Sequence, residues 1–176
     1  DVPDGDGQLP IHYACKHGTL NLVELLVTNG AKFDVPDRGG QLPMHYACRN
    51  VVWGSDIILF LLKKGAKVNV PDGDGRLPIH YACEHGTLRT LKLLVSNGAK
   101  VNILDHSGKL PIDYAQKNRN FDSNMRNFLL KNTKSKILET ITDKGVLIKF
   151  FDGYRVVLLL RRYMNMRDSI SFDMSI

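Results

Sequence analysis

Cysteine is scarce: three residues in 176, too few for the disulfide framework that holds small secreted folds together. Tryptophan occurs once, at position 53. No apolar run approaches the roughly 20 residues that a membrane span requires. The longest, Val156 to Leu160, stops at Arg161-Arg162. The short motifs of chemistry are missing as well. There is no Gly-x-Gly-x-x-Gly between a strand and a helix, no Walker loop, no Gly-x-Ser-x-Gly, and no pair of carboxylates with a reason to share a cleft. An enzyme reading has no residues to stand on, and neither a cofactor nor a small-molecule substrate is expected. The net charge of +6 is mild and diffuse, so it does not by itself point to nucleic acid.

What the chain has is self-similarity. Leu9-Pro10-Ile11-His12-Tyr13-Ala14-Cys15 returns as Leu42-Pro43-Met44-His45-Tyr46-Ala47-Cys48 and again as Leu77-Pro78-Ile79-His80-Tyr81-Ala82-Cys83. A fourth, weaker copy is Leu110-Pro111-Ile112-Asp113-Tyr114-Ala115-Gln116, and the starts lie 33, 35 and 33 residues apart. The flanks repeat too, as NGAKFDVPD at 29–37, KGAKVNVPD at 64–72 and NGAKVNILD at 97–105. A fixed period of this length is the mark of a stacked array.

One unit has a simple physical reading. Asp4 to Gly7, with its counterparts at 37–40, 72–75 and 105–108, is turn chemistry, the glycine being free to take a positive φ. Proline then suits the first turn of a helix, where its missing N–H costs nothing. Ile11, Ala14 and Cys15 share one helical face, and Gly18 ends that helix. Thr19 can cap a second helix, with Leu22, Leu25 and Leu26 as its apolar stripe. Gly30 stands where a left-handed residue closes a helix. Ala31 to Val35 reads as an extended arm into the next turn. Such a helix–loop–helix cannot bury its apolar faces alone, so neighbours must cover them. Tyr13, Tyr46, Tyr81 and Tyr114 are expected to be packed between units.

Over about residues 1–133 this pattern resembles the ankyrin repeat. The resemblance implies an all-α repeat solenoid of helix–loop–helix units with short β-hairpin arms. The units are placed at about 4–36, 37–71, 72–104 and 105–133, with 134–176 as a C-terminal cap or decayed repeat carrying a basic tail. The family places Thr before the proline, and here all four copies have Leu.

Units two and four each hold two extra residues between their helices, since Ala14 to Leu26 spans 12 positions but Ala47 to Leu61 and Ala115 to Leu129 span 14. In unit two the insertion falls in Asn50 to Ser55. Ser55 can cap the following helix, and Trp53 is either a lid over apolar surface or an interface anchor. The chain opens on Asp1 inside an arm, which is read as the start of a fragment with more repeats upstream. Beyond 133 the register fades, and a cap-like helix at about 123–143 followed by a hairpin over 146–160, or irregular chain, is expected.

Three apparent sites have plainer explanations. His-x-x-Cys, at His12/Cys15, His45/Cys48 and His80/Cys83, has metal-ligand spacing on a helix. Each unit supplies only two such groups, however, and stacked helices lie roughly 10 Å apart. The histidines are expected to tie adjacent loops by hydrogen bonds. The cysteines should be small buried hydrophobes, and unpaired thiols favour an intracellular, cytoplasmic compartment. Asp-Gly-Asp-Gly at 4–7 and 72–75 suggests a calcium loop, but no bidentate Glu follows at the required distance. No metal is expected.

The resemblance also implies where a partner would bind, on a concave face made by the turn tips and the exposed side of the inner helices. Carried over unit by unit, the contact positions include Gln8, Lys16 and His17 in the first. The second supplies Arg38, Gln41, Arg49 and Asn50, with Trp53 in reach. The third supplies Arg76, Glu84 and His85, and the fourth His106, Lys109 and Lys117. With Asp6 and Asp74 at the tips the face carries 6 basic and 3 acidic residues, which favours a partner protein with an acidic or phosphorylated surface. The expected function is a non-catalytic protein–protein interaction module. Two other readings remain. The chain could be the targeting segment of a larger multidomain protein such as a channel, kinase, ubiquitin adaptor or effector. Alternatively, residues 131–176, with 9 basic and 5 acidic side chains, could touch an anionic surface or nucleic acid.

Overall fold

The structure is a computed structural model that describes residues 2–142, with side chains through residue 133. The chain divides into two units, Asp1–Thr133 and Lys134–Ile176. The hairpin expected at 146–160 and most of the basic tail lie outside the described residues. Those that are described form eight helices and no strand: α1 (Pro10–His17), α2 (Leu20–Thr28), α3 (Pro43–Ala47), α4 (Gly54–Lys63), α5 (Pro78–His85), α6 (Leu88–Ser96), α7 (Pro111–Ala115) and α8 (Ser123–Thr142). The odd-numbered helices pack in a row, α1 on α3, α3 on α5 and α5 on α7. Behind them α2 packs on α4 and α4 on α6. This is an all-α repeat solenoid.

Each inner helix opens on proline after an extended leucine, as at Leu9 with φ −85° and ψ 160°. Leucine has no capping oxygen, so the N–H three positions on goes to the leucine carbonyl, as His12 to Leu9 O at 2.9 Å, and that residue's side chain reaches back to the leucine N–H. Leu9, Leu42 and Leu77 donate their N–H groups to Nδ1 of His12, His45 and His80 at 2.9, 2.9 and 3.0 Å. In the fourth copy Leu110 donates to Asp113 Oδ2 at 2.7 Å. An accepting nitrogen or carboxylate serves the same end, which is why Asp stands in for His there.

Thr19 and Thr87 cap α2 and α6 as expected, accepting from Leu22 and Thr90 at 3.4 and 3.3 Å. Ser55 does not cap α4. Its hydroxyl is buried against Thr90 of the next unit, 3.1 Å away. The N–H of Trp53, just ahead of α4, goes to Asn50 Oδ1 at 2.9 Å. The first turn of α8 is capped by Asp122, which accepts from Met125 at 2.7 Å.

The arms are turns and not paired strands. Within each tip the Asp N–H returns to the residue four positions on, as Asp37 to Gln41 O and Asp72 to Arg76 O, both 3.0 Å. A single backbone bond then joins neighbouring tips: Arg38 to Asp6 O, Gly73 to Gly39 O and His106 to Asp74 O, at 2.8 to 3.0 Å. One bond per junction is too little for a ladder. Gly40, at φ +77°, lets the tips approach: a Cβ there would lie 2.7 Å from the Gly73 nitrogen.

Covering of apolar surface follows the stack. Tyr46, Tyr81 and Tyr114 are 4%, 2% and 1% exposed, whereas Tyr13 is 48% exposed. Leu22 is 43% exposed, while its counterparts Ile57, Thr90 and Met125 are buried. The expectation of a packed tyrosine thus holds for three units and fails for the first. A tyrosine is covered by the unit before it, and the described chain has none before Tyr13.

Candidate partner-binding face

The tyrosine column is the floor of this face. Each ring stands edge-on to the histidine of the preceding unit: His12–Tyr46, His45–Tyr81 and His80–Tyr114, with centroids 5.3, 5.6 and 5.8 Å apart. Each hydroxyl donates to the turn aspartate of its own unit. Tyr13 reaches Asp4 and Tyr46 reaches Asp37, both at 2.6 Å, and Tyr81 reaches Asp72 at 2.5 Å. Tyr114 bonds Asp105 in the same way. The other carboxylate oxygen takes backbone N–H groups of the turn, those of Asp74 and Arg76 in the case of Asp72, both at 2.9 Å. Burial would raise the Asp105 carboxyl, but the Tyr114 hydroxyl, the Lys109 N–H and the Ser107 hydroxyl outweigh it and hold it near 2. Burial, then the aspartate bond, pushes the Tyr81 hydroxyl well above its ordinary 10.

In the second Asp-Gly-Asp-Gly, Asp72 thus spends one oxygen inside the turn and the other on the Tyr81 hydroxyl. Of the three His-x-x-Cys histidines, His45 engages both ring nitrogens, whereas Nε2 of His12 and of His80 has no hydrogen-bond partner among the described residues. His45 Nε2 lies 3.1 Å from Val70 O and 3.2 Å from Arg76 O, so it ties one unit to the next. His80 Nε2 faces the matching carbonyls of Ile103 and Lys109 without closing either bond. Cys15, Cys48 and Cys83 are fully buried free thiols. Burial pushes Cys15 up to about 12 and the other two higher, so none is a thiolate ready to bind metal.

Cations roof the tyrosines. The Arg49 guanidinium sits 5.0 Å from the Tyr46 centroid and 4.3 Å from that of Tyr81. Arg76 sits 5.8 Å from Tyr81 and 4.4 Å from Tyr114. Lys109 and Lys117 each place their ammonium 5.7 Å from Tyr114. Such contacts attract through the ring quadrupole. Glu84 lies among these cations, 3.7 Å from Arg76, from His85 and from Lys117. Arg76 is also 3.7 Å from Asp105. His85 titrates below its ordinary value, first through burial and then through Arg49, Lys16 and Arg76, with Glu84 opposing.

The family model described as ankyrin repeats (three copies) matches residues 1–72 and 54–140. The chain belongs to the ankyrin-repeat family. No curated protein matches it. Ankyrin repeats are generally protein–protein interaction modules and typically non-catalytic. No helix among the described residues is long and apolar enough to cross a membrane.

Of the positions carried over to this ankyrin face, Arg49, Arg76, Glu84, His85, Lys109 and Lys117 come together around Tyr81 and Tyr114, and Lys16 lies within electrostatic reach of His85. Gln8 and Gln41 are half-buried at their tips, and His17 and His106 are exposed. Arg38 is exposed at a tip and bonds the Gly5 carbonyl across the first junction. Asn50 is not available to a partner. It is 7% exposed, and its Nδ2 donates to Cys15 O and Gly18 O of the preceding unit at 3.2 and 3.0 Å. Asn118 does the same to Cys83 O and Gly86 O, both at 2.9 Å. These are the two units with the longer loop, and the asparagine anchors it. Trp53 remains 41% exposed, more than a lid closed over apolar surface would. The tyrosine floor was missed from sequence. The constant spacing of nine residues from each turn Asp to its Tyr was the available signal.

Proposed function

We propose that the chain is a non-catalytic module that holds a partner protein on the face lined by its turn tips and inner helices. The partner's surface is acidic or phosphorylated. The supporting observation is the arrangement of Arg49, Arg76, Lys109 and Lys117 over the rings of Tyr46, Tyr81 and Tyr114, with Glu84 as the acidic side chain set among them. A protein surface carrying carboxylates or phosphates meets paired guanidinium forks there. Arg49→Glu tests this directly in a pull-down, with circular dichroism to check folding. Capture of partners should fall sharply, and capture unchanged by Arg49→Glu would exclude this face.

A further inference from the structure

The two arginines differ from the lysines beside them in what surrounds their charge. Arg49 has the Tyr46 hydroxyl and two rings as neighbours. Among the described residues no carboxylate is paired with it. Arg76 has two carboxylates, Glu84 and Asp105, but both at 3.7 Å, well outside the roughly 2.7–2.9 Å of a charge-assisted hydrogen bond. Its Nε has no acceptor. Asp105 is already spent on Tyr114, Ser107 and the Lys109 N–H. Both guanidinium groups are therefore held in place by ring contacts while their hydrogen-bonding capacity is largely unused.

Their spacing is bounded by the ring they share. Arg49 and Arg76 lie 4.3 and 5.8 Å from the Tyr81 centroid, so no more than about 10 Å separates them. A polyproline-type chain returns to the same side every three residues, a rise of about 9 Å. A β-type chain does so every two residues, about 7 Å. Acids four or more residues apart in either form overreach the pair, and adjacent acids diverge, to opposite sides of a β-type chain or by about 120° around a polyproline-type one.

Resting on the function proposed above, we propose that Arg49 and Arg76 act together as a reader of extended acidic segments. They take two carboxylates spaced two or three residues apart in a partner protein lying across Tyr81. Glu84 is the specificity element. It repels the incoming acids and sets a threshold that a single carboxylate does not overcome. Peptide is favoured over single-stranded nucleic acid because the floor rings are covered. With Tyr46, Tyr81 and Tyr114 at 4% exposure or less, none of the three rings beneath Arg49 and Arg76 is open for base stacking.

The test is selection of a random twelve-residue peptide display library on the full 176-residue chain. Binding of the enriched peptides is then measured to wild type, Arg49→Gln, Arg76→Gln, Arg49→Lys and Glu84→Gln, each confirmed folded by circular dichroism. The expected result is enrichment of acid pairs at spacing two or three. Affinity should fall about tenfold for either Gln variant and less for Arg49→Lys, which keeps charge but loses the fork. It should rise severalfold for Glu84→Gln, a gain that an unfolded variant could not produce. Enriched peptides that depend on this face but carry no spaced acid pair would overturn the reader and leave the binding face standing. Peptides indifferent to every variant, or no enrichment at all, would overturn both. A twelve-nucleotide oligouridylate that binds more tightly than the selected peptides would replace the peptide assignment with RNA.

Discussion

Tyr81 shows how much one side chain carries in this stack. Its ring meets His45 edge-on, lies under Arg49, and sends its hydroxyl to Asp72. Removing that hydroxyl leaves a buried carboxylate oxygen short of its donor, which costs about 1–3 kcal/mol. Tyr81→Phe should therefore lower the urea midpoint clearly. Tyr13→Phe removes an equivalent bond, but Asp4 is exposed to water there, so a change within about 0.5 kcal/mol is expected. Equal losses in the two variants would mean that the bond matters regardless of burial. The same scale decides the role of Asn50. Asn50→Ala strands two carbonyls of the preceding unit and frees the Trp53 N–H, and about 2 kcal/mol should be lost. A partner contact at Asn50 would instead show as lost binding with unchanged stability.

At the scale of the element, the glycines separate two costs that are usually confounded. Gly30 closes α2 at φ +88° with open space around it. Gly30→Ala should cost only the strain of a left-handed alanine, about 1 kcal/mol. Gly40 has a similar φ of +77°, but a methyl group there meets backbone of the next tip at 2.7 Å. Gly40→Ala should cost distinctly more and loosen the junction between units two and three. Hydrogen exchange at the Gly73 amide, which donates to Gly39 O, reads that loosening directly. Protection there equal in both variants would show that the tips do not depend on close approach. The inner helices are short, five residues for α3 and α7, so they gain little from helix propensity. Their stability comes from the proline start, the backward-reaching His or Asp, and the neighbours on either side.

Across the whole molecule, two histidines of the column make the stack sensitive to acid. Burial holds His45 and His80 below the ordinary 6.5, against the opposing pull of Asp72 and Asp105. His85 is lowered too, again by burial first. The sign follows from proton uptake. Above pH 6.5 neither folded nor unfolded chain protonates these rings, and the full stability is present. As the pH falls below 6.5, the unfolded chain binds protons that the folded chain refuses, so stability drops until the folded values are passed. Melting temperature should decline from about pH 6.5 downward, and His45→Asn should shallow that slope even if it lowers the plateau. A second decline belongs to Asp105. Its carboxyl is depressed from 3.8 to about 2, so its contribution is present above pH 3.8 and lost as the pH falls toward 2. A melting temperature flat between pH 7 and 5 would show that the rings titrate freely in the fold.

The sequence by itself determined the array. Period, turn glycines, helix-starting prolines and apolar stripes are local features, each legible from a few neighbouring residues, and together they specify the unit and its need for a neighbour. The threonine caps and the left-handed glycines followed from the same local chemistry. Only the tertiary structure decided which polar groups meet across units, because those partners lie about 30 residues apart and are set by stacking. It sent Ser55 to Thr90 and not to its own helix, turned Asn50 inward to the carbonyls of unit one, and left neighbouring tips joined by one backbone bond where strands were expected. It also placed arginines from two different units over a single tyrosine ring. No spacing along the chain reports that arrangement, since it depends on the distance between helices and not on the residues between them.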